Sequence, residues 1–516
     1  MRRTGMMAAA LAAGIGLAAM PAAAQKTVLN VGMASGDAGK LDPHLSATTP
    51  DKALFQWMFN GLVRIKPGSM SLEAIEPDLA ESWEASSDRK SWVFALRHGV
   101  QCQHGYGELT AADVVYSLNR SADPKRSAFS SDYKDFAAVE ATDPYTVKIT
   151  LKNAVPSLLG LVTNYHGGNI VCKKPAEALG ENFATKPTGT GPFMFGELKS
   201  KEATILVANK QYFRGPPKLE RIVYRYIPSD ASRDLAYQSG EIDMIYGTQS
   251  QTWVERMKAL PNTEVMVFEP AELTLLSLNI TKPPLDNLKV RQAIAHAINR
   301  EEIVKFNGEA VARAGKSIIP IGYLGYTDDV PLLPYDLNKA KQLLKEAGFP
   351  NGVTIKSVQT NLPGMLRSME VVQAELRRAG ITLDFDVVEH ATFHANIRKD
   401  LSPLVQYAAA RFPVADTYLT QFFHSASIVM TPTAVTNFSH CDMADAEIVA
   451  ARSEPDPAKQ KALWKTAQQK LVAAVCAVPM HEGLLVWARR SNLDLGYKLE
   501  GALSLGPPVI ETTQFR

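Results

Sequence analysis

The chain has 516 residues, 46% hydrophobic and 21% charged, which is the balance of ordinary globular protein at a length that exceeds one hydrophobic core. Its 55 basic residues face 53 acidic ones; without Arg2 and Arg3, which fall in a segment expected to be removed, the count is level. A neutral chain lacks the field that gathers nucleic acid or an anionic membrane, so neither is expected as a partner.

Residues 1–24 read as an export signal. Arg2 and Arg3 form a basic start, Met6 to Ala19 an apolar run, and Ala22 and Ala24 a small-residue cleavage site. The run is too short to span a bilayer, and no later stretch reaches the ~20 apolar residues required. The first cysteine is Cys102, so a lipid-modified end to the signal is not expected, and the mature protein is expected free in the periplasm. Its four cysteines, 102, 172, 441 and 476, enter an oxidising compartment and allow three pairings among which sequence does not choose. A metal site would need tighter ligand spacing than they show.

Strand and helix signals then alternate, which indicates an α/β protein. Val28–Met33 is a strand with Leu29, Val31 and Met33 on one face. Thr110 caps a helix with Asp113 reaching back to it, and Val114, Val115 and Leu118 form its apolar stripe. Another helix starts near Asp230 and ends at Gly240, with a strand at Ile242 and Met244. From Asn287 to Arg300, Val290, Ala293, Ile294, Ala297 and Ile298 follow helical spacing. Asp336 caps a helix with Ala340, Leu343, Leu344 and Ala347 inward and Gly348 as its stop. Ile381, Leu383, Phe385 and Val387 alternate as a half-buried strand. Asp456–Pro457 opens a long helix carrying Leu463, Trp464, Ala467 and Leu471.

Motifs for chemistry are absent. There is no G-x-S-x-G, and His481–Glu482 is followed by Gly-Leu-Leu, so no second zinc ligand arrives four residues on. Arg313–Ser317 (RAGKS) imitates the end of a phosphate loop, but Ala310 stands where its first glycine is needed. Gly189 and Gly191 lack a third glycine, and Pro192 removes an N–H donor. His390 and His394 have the i, i+4 spacing of a helical ligand pair, though two solvated or locally paired imidazoles explain them as well. His440 adjoins Cys441.

The run Pro77–Arg120, PDLAESWEASSDRKSWVFALRHGVQCQHGYGELTAADVVYSLNR, resembles the signature of the bacterial extracellular solute-binding proteins of family 5. A "P-x-LA-E-S-W" turn, an "F-x-LR-x-G-V" strand and a "T-A-x-D-V-x-x-S" helix stand in order at Pro77–Trp83, Phe94–Val100 and Thr110–Ser117. Further blocks at Pro187–Phe195, Ala208–Met244, Ser277–Val304 and Tyr335–Gly352 extend the likeness over nearly the whole mature chain. The resemblance implies an α/β, two-lobed periplasmic-binding-protein type II fold with an extra domain in the N-terminal half and a ligand cleft between the lobes. The expected division is lobe I from 25–58, 188–275 and 481–516, the extra domain from 59–187, and lobe II from 276–480, with Thr281–Arg291 carrying the crossing. Pairing 102 with 172 and 441 with 476 would keep each bridge within one of these units.

The implied role is the substrate-capturing subunit of an ABC importer, a monomer without enzymatic activity or cofactor. It would hand its ligand to an inner-membrane permease whose partner subunits hydrolyse ATP. Short peptides are the expected cargo, held in extended form, with closure favoured by interactions that only the closed state makes with the ligand. By the resemblance, Asp416 in RFPVADTYLTQFF matches the position that holds a peptide ammonium. Arg367 in MLRSMEVVQAEL matches the position that holds its carboxylate, a task suited to a planar guanidinium. The chain departs from the pattern at Thr417, where proline is usual, and at Ala408 to Ala410, where an aromatic is usual. A capping or surface role explains Asp416 equally, and an exposed helix position explains Arg367. Trp57, Tyr106 and Phe412 are either pocket walls or core. Within the class, nickel, haem, an oligosaccharide or an opine are alternative cargoes. A sensor subunit serving a chemoreceptor shares the fold, and a secreted hydrolase is the rival from another class.

Overall fold

A computed structural model of the chain describes residues 26–46, 48–155, 157–430 and 436–516; the export signal expected over 1–24 lies outside them. The central element is a nine-stranded mixed sheet. Its order is Phe193–Lys199, Ala203–Ala208, Arg221–Tyr226, Val28–Met33, Met244–Tyr246, Ala477–Arg490, Thr263–Leu278 and Leu404–Ala409, with Ala312–Ala314 set beside Ala477–Arg490. Val28–Met33 runs parallel to both its neighbours. Leu29, Val31, Trp57, Tyr224 and Trp487 are among the residues of the first core. Trp57 is fully buried there, its ring edge-on to Tyr224 at 5.7 Å, so it is core and not pocket wall. Gly189 and Gly191 press against the end of helix Thr49–Met58. A Cβ on either would sit 2.3 Å or 2.5 Å from Met58 backbone atoms, which is the physical reason for glycine at both.

The extra domain is a four-stranded antiparallel sheet, Ala80–Ala85, Ser91–Leu96, Thr146–Leu151 and Phe136–Asp143. Helix Ala111–Ala122 packs Val114 and Leu118 against it and starts with the expected Thr110–Asp113 capping box. Cys102 is bonded to Cys172 and Cys441 to Cys476. The former lies in this domain's core, the latter in a core with Tyr418 and Trp464. Each bridge shrinks the conformational space of the unfolded chain.

The second lobe holds a parallel pair, Val353–Thr360 and Ile381–Val388, linked by helix Pro363–Ala379. Helices Leu288–Ala297 and Leu337–Glu346 pack into the same core. Asp336 caps the latter, and Gly348 follows it in left-handed conformation. Two details differ from the sequence reading. The helix expected over Asn287–Arg300 stops at Ala297, and a second runs over Arg300–Asn307. Asn299 causes the break, because its side chain accepts from the backbone N–H of Glu301 and Glu302 and so starts a new helix. Val387, expected inward, is 47% exposed.

A third difference is that two strands join the lobes, whereas Thr281–Arg291, expected to carry the crossing, lies in the second lobe with Leu285 and Val290 in its core. Thr263–Leu278 and Ala477–Arg490 are paired along most of their length, with register breaks at Phe268/Glu272 and Thr274/Leu275. Before the first break Met266, Phe268, Leu485 and Trp487 belong to the first core; after the second Leu276, Leu278, Val478 and Met480 belong to the second lobe's core. At the first break Arg313 holds Glu269 and Glu482, one from each strand, both at 2.5 Å. Glu482 is fully buried and also accepts from the Ile321 N–H. Burial pushes its carboxyl up and Arg313 opposes the shift. The RAGKS segment is thus a strand and a joint clamp, not a phosphate loop. Replacing Arg313 by Met strands Glu482 without a counter-charge. The variant is expected to lose about 3–5 kcal/mol in urea denaturation, with part recovered in the Arg313→Met/Glu482→Gln double variant.

Candidate functional site

Three charged side chains, Lys52, Glu272 and Arg411, lie within electrostatic reach of one another where the two lobes and the extra domain face one another. Lys52 comes from helix Thr49–Met58, and burial lowers its ammonium to about 8, with the Arg411 charge adding to the shift and Glu272 opposing it. Glu272 sits between the two register breaks, where the crossing strand passes Gly483. Its side chain is exposed to solvent yet walled in by protein, and this enclosure raises its carboxyl against the pull of Arg411 and Lys52. Arg411 follows strand Leu404–Ala409, whose Ala409 pairs with Leu273, so the backbone brings Arg411 beside Glu272.

Aromatic groups fix this cluster. The Lys52 ammonium lies 5.5 Å from the Tyr165 ring centre, and Tyr165 faces Phe412 at 6.0 Å. Phe412 enters a space that only glycine leaves open, since a Cβ on Gly160 would stand 2.1 Å from its ring. The Arg411 guanidinium is 5.2 Å over Phe422 and donates to Gln421 Oε1 at 2.6 Å and to the Ala410 carbonyl at 3.0 Å. The Arg411 backbone is pinned by Tyr323, whose hydroxyl accepts from its N–H and donates to its carbonyl. His166 stacks on Tyr165 at 3.7 Å; burial and the charges of Lys52 and Arg411 hold it well below the usual imidazole range. His481 is lowered to about 4 by burial. Both imidazoles are therefore neutral at pH 7.

The cluster carries two cations against one carboxylate. No carboxylate among the described residues forms an ion pair with Lys52 or Arg411, whereas 20 lysine– or arginine–carboxylate pairs form elsewhere. An enclosed excess positive charge costs free energy unless a ligand supplies the missing negative one.

Asp416 and Arg367, singled out by sequence, are not among these three residues. Asp416, in the first turn of helix Ala415–Phe423, is engaged by Arg452 Nε at 3.3 Å through both oxygens. Burial raises its carboxyl, and after Arg452 the charges that act on it are Lys134 and Asp135 of the extra domain. Arg367 is exposed on helix Pro363–Ala379. Of the three aromatics proposed, Phe412 reaches the cluster, Trp57 is core, and Tyr106 packs on the extra domain's core. A serine–histidine contact of hydrolase type, Ser121 Oγ to His44 Nε2 at 3.2 Å, is fully buried, and Ser121 donates to the Gly167 carbonyl at 2.6 Å. The signal that sequence reading passes over is a charge inside an apolar run. Glu272 interrupts buried Ala271 and Leu273, and Lys52 precedes buried Ala53, Leu54 and Phe55.

Two α/β lobes joined by crossing strands, with an unbalanced charge cluster at their meeting, define a ligand-capturing protein of the periplasmic-binding type. Residues 74–429 match the model of the bacterial extracellular solute-binding proteins, family 5 Middle, and the chain belongs to that family. It is 29% identical to heme-binding protein A of Haemophilus influenzae over 81% of this chain and 80% of that one. It is 29% identical to the glutathione-binding protein GsiB of Escherichia coli K12 over 97% and 98%. The solved structure of MoaA from A. tumefaciens R10 in complex with mannopinic acid is 50% identical, covering 95% of this chain and all of that one, with a TM-score of 0.83. The protein is a solute-binding component of an ABC importer. Among the described residues no helix is long and apolar enough to cross a membrane.

The Asp416–Arg452 pair makes a separable prediction. Asp416→Ala and Arg452→Ala are each expected to cost about 1–3 kcal/mol, and the double variant little more than either, because each single change already removes the shared contact. Urea denaturation of the four proteins measures this.

Proposed function

We propose that this carrier captures an amino-acid-derived small molecule with one ammonium and two carboxylates, a sugar–amino acid conjugate of the opine type in first place. The observation that carries this reading is the two-to-one excess of cations over carboxylate formed by Lys52, Arg411 and Glu272. Glu272 would hold the ligand's ammonium. Arg411, with its planar fork, and Lys52, as a point charge, would each take a carboxylate. A ligand with net charge of minus one neutralises the cluster; a simple zwitterionic peptide leaves one cation unmatched.

The named ligands of two relatives support the reading through their chemistry. Glutathione and mannopinic acid are both built on glutamic acid, and each carries two carboxylates and one basic nitrogen. The likeness to the mannopinic acid complex, at 50% identity, favours the sugar conjugate over the peptide. Tyr165 and Phe412 would offer ring faces to a polyol chain. Lys52 from one lobe, Arg411 from beyond the crossing strands and Tyr165 from the extra domain make contacts to one ligand that depend on closure, so the ligand favours the closed state. In the same reading residues 276–480 move against 25–58, 188–275 and 481–516. Residues 1–24 would be removed on export, and no bond in the cargo would be broken.

Titration calorimetry of the mature protein with mannopinic acid, glutathione and the neutral dipeptide Ala-Ala tests the cargo. Mannopinic acid is expected to bind at least ~10-fold more tightly than Ala-Ala, and Arg411→Ala to weaken it by a similar factor or more, about 1.4 kcal/mol per factor of ten. Equal affinity for the dipeptide, or binding indifferent to Arg411, would overturn the reading. Lys52 adds a pH signature. Burial lowers it to about 8, so it is cationic below that value and neutral above. Affinity for the dicarboxylate is expected to fall as pH rises through about 8, and Lys52→Met to bind more weakly with a flatter pH profile.

A further inference from the structure

We propose that His390 and His394 form a binding site for a late first-row transition-metal ion on the second lobe, apart from the charge cluster that takes the cargo. Helix His390–Arg398 brings the two rings to one face, with their Nε2 atoms 3.2 Å apart. Bound at the usual ~2.0–2.1 Å from an ion, two nitrogens in neighbouring positions of a tetrahedral or octahedral shell lie about 3 Å apart. The ring planes are inclined at 75° with centroids 4.6 Å apart. Two nitrogens facing each other end to end would hold the rings further apart, so the contact is bent and leaves room for an ion beside both nitrogens.

The surroundings orient the pair. Thr360 Oγ1 lies 2.9 Å from His390 Nδ1, the type of second contact that fixes a ligand imidazole and leaves Nε2 for the ion. Ring contacts with Phe393 and Tyr407 hold His394. The site lies at the carboxyl ends of the parallel strands Val353–Thr360 and Ile381–Val388, the edge where open α/β sheets admit ligands. Among the described residues no group of three or more potential ligands surrounds an ion, so the remaining positions belong to water or a chelating metabolite. Two imidazoles without a carboxylate select nitrogen-preferring ions, Cu2+ above Ni2+, and reject Mg2+ and Ca2+.

Equilibrium dialysis of untagged mature protein against Cu2+, Ni2+ and Mg2+ tests this. The expected result is one Ni2+ per chain, tighter Cu2+ and no Mg2+. His390→Gln and His394→Gln, which keep side-chain bulk, should each weaken Ni2+ at least tenfold at an unchanged melting temperature. Arg411→Ala should leave Ni2+ binding intact, so a failed cargo assignment and a failed metal site are told apart. Ni2+ binding indifferent to both substitutions, or no Ni2+ bound, would mean that the two rings merely share a hydrogen bond and would overturn the site.

Discussion

The architecture depends on two strands that pass from one hydrophobic core into another. Thr263–Leu278 and Ala477–Arg490 stay paired on both sides of the register breaks, so the lobes share a sheet while keeping separate interiors. Ladder hydrogen bonds are lost where the strands loosen, and the Arg313 clamp on Glu269 and Glu482 replaces them with a charged contact. A buried ion pair adds little net stability but penalises every arrangement that separates it. It holds the joint together there while the absence of ladder bonds leaves the joint able to bend.

That constraint also positions the binding charges. Glu272 stands within the loosened stretch, and Arg411 is brought to it by the pairing of Ala409 with Leu273. Lys52 arrives from the first core and Tyr165 from the extra domain. No single unit holds a complete site. Excess positive charge enclosed among three units repels itself, so an anionic ligand lowers the free energy of their approach. In the proposed reading selectivity and closure have one electrostatic cause, and Phe412 seated over Gly160 adds an apolar contact between the same parts.

Local rules are readable because they are settled within a few residues. The Thr110–Asp113 capping box, the Asp336 cap, the glycine stop at 348 and the strand Val28–Met33 all stand as the residue pattern predicts. Asn299 escapes the pattern because helical spacing continues across it, while its side chain starts a new helix. The site is less legible. Asp416 matches a motif position, yet whether a carboxylate is available to a ligand depends on a partner 36 residues away, Arg452. Arg313 resembles part of a phosphate loop until both its carboxylate partners, at 269 and 482, are in view.

The sequence by itself determined the α/β alternation, written in periodicities that each segment carries alone, and the family resemblance, carried by contiguous motifs; the two-lobed plan was what that resemblance implied. It also contained both disulfides without choosing their pairing, which the fold assigned by bringing Cys102 to Cys172 and Cys441 to Cys476. Only the tertiary structure decided which charges face the ligand. Asp416 and Glu272 are carboxylates in similar apolar settings along the chain. One is engaged by an arginine within the protein; the other lies within reach of two cations, whose excess charge the proposed reading assigns to a ligand. Coulomb energy depends on separation in space, and separation in space between residues 52, 272 and 411 is a property of the folded molecule alone.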